Sequence, residues 1–102
     1  MTAAEYEAAR KPLLRQKKHE EDLAGQAMLD ANRALGTQYH ADIQGKTDAQ
    51  KAVLAAAKRR ALALVSVQYR AALAEISMQY HDALDELGPP PAGQFDPNAT
   101  HI

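Results

Sequence analysis

From residue 54 to residue 87 the apolar positions recur every eleven residues. Leu54, Val65, Ile76 and Leu87 form one set, and Leu62, Leu73 and Leu84 a second. Ala61, Ala72 and Ala83 form a third, and Tyr69 and Tyr80 a fourth. The stretch "ALALVSVQYRA" at 61–71 is followed at once by its near-copy "ALAEISMQYHD" at 72–82. Eleven residues complete three turns at about 3.67 residues per turn, close to the relaxed helix. The four sets therefore stay on one side and span an arc of about 100°, the width of a buried stripe. The pattern predicts a long helix that is straight or slightly right-handed, with coiled-coil-like packing through an eleven-residue register. A weaker echo, "ANRALGTQYHA" at 31–41, extends the register into the preceding segment.

The helix ends are written in capping residues. "TAAE" at 2–5 and "TDAQ" at 47–50 both match the capping box, in which a Thr hydroxyl and a Glu or Gln side chain satisfy each other's backbone amides. Gly45 suits the end of a first helix, and Gly88 before Pro89, Pro90 and Pro91 stops a second. These signals predict helix 1 over about 3–44 and helix 2 over about 48–87. A short turn between them makes an elongated antiparallel hairpin over 1–88, followed by a proline-rich extended tail over 89–102. The fold class is all-α. Pro12 should break or kink helix 1, because it removes a hydrogen bond and clashes with the preceding turn.

A second apolar stripe runs along the far side of helix 2 through Val53, Ala56, Leu64, Val67, Ala71 and Met78, interrupted at Arg60. One partner helix cannot cover both stripes. Helix 1 also looks poorly matched: "RQKKHEED" at 15–22 has no apolar residue for two turns. In a symmetric hairpin it faces about 70–77, leaving Leu73 and Ile76 without apolar cover. Helix 2 is thus expected to associate with another chain, with Val53, Leu64, Val67, Tyr69, Leu73, Ile76, Met78 and Tyr80 as the interface. The tail is expected to be free, as proline-rich tails usually are; the alternative is a docking strap anchored by Phe95 and Ile102.

Composition sharpens this picture. Alanine dominates, Val and Ile are few, Trp is absent, and Phe95 is the single phenylalanine, a mixture that favours helix over sheet. The formal charge of −1 gives no general attraction to nucleic acid or anionic lipid. No cysteine is present, so disulfide and thiolate chemistry are excluded. The N-terminus lacks the pattern of a signal peptide and no stretch reaches membrane-span length, so synthesis in the cytoplasm is expected and the final location is open.

Candidate chemistry is thin. "GKT" at 45–47 lacks the first glycine of a P-loop, whose place is held by His40. His81 and Asp85 are an i, i+4 pair, but His40 and Asp42 lie about 60 Å away at the other end of straight helices, so the two pairs cannot share a metal within one molecule. Neither a catalytic grouping nor a cofactor or metal site is expected. The basic clusters "RQKKH" at 15–19 and "KRR" at 58–60 fall apart in a hairpin, with Lys58 opposite about residue 34, which disfavours nucleic-acid binding. The expected function is non-enzymatic: a structural subunit joining a protein partner or copies of itself through helix 2. A virion or secretion-apparatus component would suit this build by analogy only. A small regulatory protein that lays one helix face into a partner's groove is the alternative, and a nucleic-acid binder stands third.

Overall fold

The computed structural model describes residues 1–91, in which two helices, α1 (Ala3–Asp42) and α2 (Asp48–Leu87), fold back on each other as an antiparallel hairpin. No strand is present among the described residues. The molecule extends 68 Å along its long axis. Its radius of gyration is 21.3 Å, against about 13 Å for a compact domain of this length. A rod of this kind buries few side chains fully: among the described residues only Tyr6 and Leu84.

Both capping boxes are formed. The Thr2 hydroxyl accepts from the Glu5 amide at 3.1 Å, and Glu5 Oε1 accepts from the Thr2 amide at 3.3 Å. The Thr47 hydroxyl accepts from the Gln50 amide at 3.2 Å, and Gln50 Oε1 accepts from the Thr47 amide at 3.0 Å. Each box satisfies donors that a helix start otherwise leaves without partners. α1 closes at Ile43, whose amide donates to the Tyr39 carbonyl at 3.1 Å. Gly45 then adopts φ 70°, a left-handed conformation that costs other L-residues energy. At the far end Gly88 has φ 87°, and its amide donates to the Asp85 carbonyl at 3.0 Å.

Pro12 does not divide α1, which runs through it without interruption. The ring sits on the exposed side of the helix. Residues on both flanks, Tyr6 and Arg10 before it and Leu13 and Lys17 after it, are at least half-buried. Packing on both sides of the proline offsets the hydrogen bond it removes.

All four eleven-residue sets of α2 face α1, as half-buried or buried positions. The seam is deepest at the open end of the hairpin, where Tyr6 is 1% exposed and Leu84 6%. The pairing register differs from the symmetric estimate by about one helical turn. Lys58 lies over the ring of Tyr39, 4.7 Å from its centroid, and not opposite residue 34. Lys17 lies over Tyr80 at 5.3 Å.

Candidate protein-docking face on the second helix

The nine interface residues expected from the sequence divide into two groups and a remainder. Tyr69, Leu73, Ile76 and Tyr80 belong to the intramolecular seam and are half-buried. Val53, Leu64, Val67 and Met78 point away from α1 and are between 54% and 67% exposed. Phe95, with the rest of the tail from residue 92 onward, lies outside the described residues.

The seam corrects one expectation. Leu73 and Ile76 are not left bare opposite a charged run. Leu13 and the side chains of Gln16, Lys17 and Glu20 line a shallow groove with Ile76 and Tyr80. Long charged side chains cover apolar surface with their methylene stems while their head groups stay wet. The Lys17 ammonium rests on the Tyr80 ring and also pairs with Glu21 at 3.9 Å. Tyr80 is gripped from a second side by Arg10. That guanidinium is held above its ordinary pKa first by the hydrogen bond to Glu7 and further by the one to the Tyr80 hydroxyl.

The same eleven-residue spacing operates on α1, where Tyr6, Lys17, Met28 and Tyr39 all face the seam. A lysine in the second place hides this set from a search for apolar residues. Gly25 belongs to the same contact, because a Cβ built there would stand 3.9 Å from the Tyr69 hydroxyl.

The outward group forms one narrow stripe. At about 100° per residue, Val53, Leu64, Val67 and Met78 fall within an arc of about 60° centred about 160° from the seam. Exposed leucines occur on α1 as well, at Leu14, Leu23 and Leu29. They are spread over half of that helix's circumference and make no continuous surface. The apolar surplus therefore belongs to α2.

Charge is arranged with equal asymmetry. The ion pairs among the described residues, Arg10–Glu7, Lys17–Glu21 and Arg33–Asp30, are all within α1. No ion pair involves a charge of α2 among the described residues. His81 tilts against the Tyr80 ring, with centroids 5.7 Å apart, and makes no ion pair with Asp85. Among the described residues no three His, Asp or Glu side chains gather as a metal set, and no helix is long and apolar enough to cross a membrane. No family model, curated protein or solved structure matches the chain at a significant level.

Proposed function

We propose that this chain is a non-enzymatic assembly subunit that joins other protein through the outward face of α2, either in copies of itself or within a larger complex. The exposed stripe of Val53, Leu64, Val67 and Met78 carries the reading. Four large apolar side chains on one side of a rod forfeit about 1.5–3 kcal/mol each while they remain wet, and association recovers part of that. The grooves of the hairpin are shallow and open along the seam, which suits packing better than enclosure of a small substrate.

Size-exclusion chromatography with light scattering on the full chain tests this. The expected result is a defined oligomer, converted to monomer by Leu64→Ser with Val67→Ser. These positions are the clean probes, because Ile76 belongs to the seam and its loss would damage the hairpin itself. A monodisperse monomer whose solubility and stability are untouched by the double substitution overturns the reading and favours a monomeric binder.

A further inference from the structure

We infer that the occupant of the outward face of α2 is a second copy of this chain, packed antiparallel about a two-fold axis near residues 65 and 66. This rests on the assembly reading above and names its partner. Two features of the outward face select that occupant.

The first is its spacing. Val53 and Leu64 are eleven residues apart, as are Val67 and Met78, and three residues separate the inner pair. Reversing the helix reproduces the same spacing. An antiparallel copy thus sets Val53 against the second copy's Met78 and Leu64 against its Val67, the self-complementarity that a two-fold interface requires. Near 3.67 residues per turn the stripe does not wind away from its partner. The stripe spans the 26 residues from Val53 to Met78, about 38 Å, crossed once by Arg60. Two facing stripes of that length bury on the order of 1,000 Å², the lower bound for a specific interface.

The second is charge. Residues 51–70 of α2 contain Lys51, Lys58, Arg59, Arg60 and Arg70 and no acidic residue. Residues 71–87 contain Glu75, Asp82, Asp85 and Glu86 and no Lys or Arg. Lys58 is engaged on Tyr39, and the other cations lie in no ion pair among the described residues. A parallel copy would set like charge against like charge along the whole contact. The antiparallel copy brings Glu75 within about one turn of the second copy's Arg60, which lies on the same outward face, while Arg70 falls near its Arg59.

The experiment uses the full chain, which contains no cysteine, so an engineered thiol is unique. Ala52→Cys places a nitroxide on an exposed position beside the stripe but outside it. Light scattering is expected to give a dimer, and double electron–electron resonance a distance between the two labels of about 40 Å, set by some 27 residues of offset. Arg60→Glu should weaken dimerisation by at least about fivefold. Mixing that variant with Glu75→Arg should restore a heterodimer. A label distance under about 20 Å, in a dimer that Leu64→Ser with Val67→Ser abolishes, overturns the antiparallel arrangement while the docking face stands. A dimer indifferent to the double serine substitution overturns the docking face and the inference together. A monomeric mass overturns the second copy as occupant.

Discussion

The ammonium of Lys58 sits 4.7 Å from the centre of the Tyr39 ring, and the same contact recurs with the helices exchanged, Lys17 over Tyr80 at 5.3 Å. Lys17 and Tyr39 are 22 residues apart on α1, as are Lys58 and Tyr80 on α2. Two eleven-residue repeats thus separate two equivalent clamps, one near the turn and one near the open end. Both clamps mark the same axial register of the seam.

A double-mutant cycle on Lys58→Met and Tyr39→Leu should return a coupling of about 0.5–1 kcal/mol, the range for a partly exposed cation over an aromatic face. The cycle on Lys17 and Tyr80 should give a similar value. Equilibrium urea unfolding of the four chains in each cycle measures it. A coupling of zero at both clamps would mean that the register is held by the apolar sets alone.

Depth of burial sets the ranking of core substitutions. Tyr6 is the most buried side chain among the described residues, and Tyr6→Ala should cost about 3 kcal/mol or more. Met78→Ala, on the outward stripe, should change the stability of the hairpin by less than about 0.5 kcal/mol when unfolding is followed at a dilution where the chain is monomeric. Equal losses at the two positions would contradict the division into seam and outer face.

The glycines separate by conformation. A Cβ at Gly36 would meet nothing within 4 Å, and Gly36→Ala should stabilise α1 by about 0.5–1 kcal/mol through helix propensity. Gly45 has φ 70°, so Gly45→Ala should destabilise the turn by about 1 kcal/mol. Thermal melts of the two variants are expected to move in opposite directions.

The first turns of α1 confer a pH dependence. The Glu5 carboxyl is held below its ordinary value of 4.5 by hydrogen bonds from Thr2, and Glu7 is held below it by Arg10. A carboxylate whose pKa is depressed by folding stabilises the native state above the unfolded value, and that share is lost as the pH falls through the folded one. Fraying of the α1 N-terminus should therefore begin as the pH drops below about 4.5, and Glu5→Gln should remove part of that slope. Amide exchange at residues 3–8 across pH 3 to 6 follows it.

Much of the architecture was legible because it is local. The Thr-x-x-Glu and Thr-x-x-Gln boxes start both helices where the sequence places them, and Gly88 stops α2 where expected. The eleven-residue sets of α2 named its buried side correctly. What escaped depends on tertiary partners. The sequence does not show the axial offset of α1 against α2, and the symmetric estimate missed it by about one turn. Lys17 reads as a solvated charge until Tyr80 is placed beneath it, and Pro12 reads as a break until both of its flanks are seen to pack. Tyr69, Leu73, Ile76 and Tyr80 belong to a periodic set that one helix neighbour already covers, whereas Val53, Leu64, Val67 and Met78 do not.

The scattered leucines and self-paired charges of α1 bear on how far growth can proceed. In a pair joined through α2, the order across the assembly is α1, α2, α2, α1. Both outer margins are then α1 helices, whose exposed leucines are dispersed around the helix and whose charges are only partly paired among themselves. A two-fold pair of this kind would use the α2 face of both chains and so close at two, without a filament.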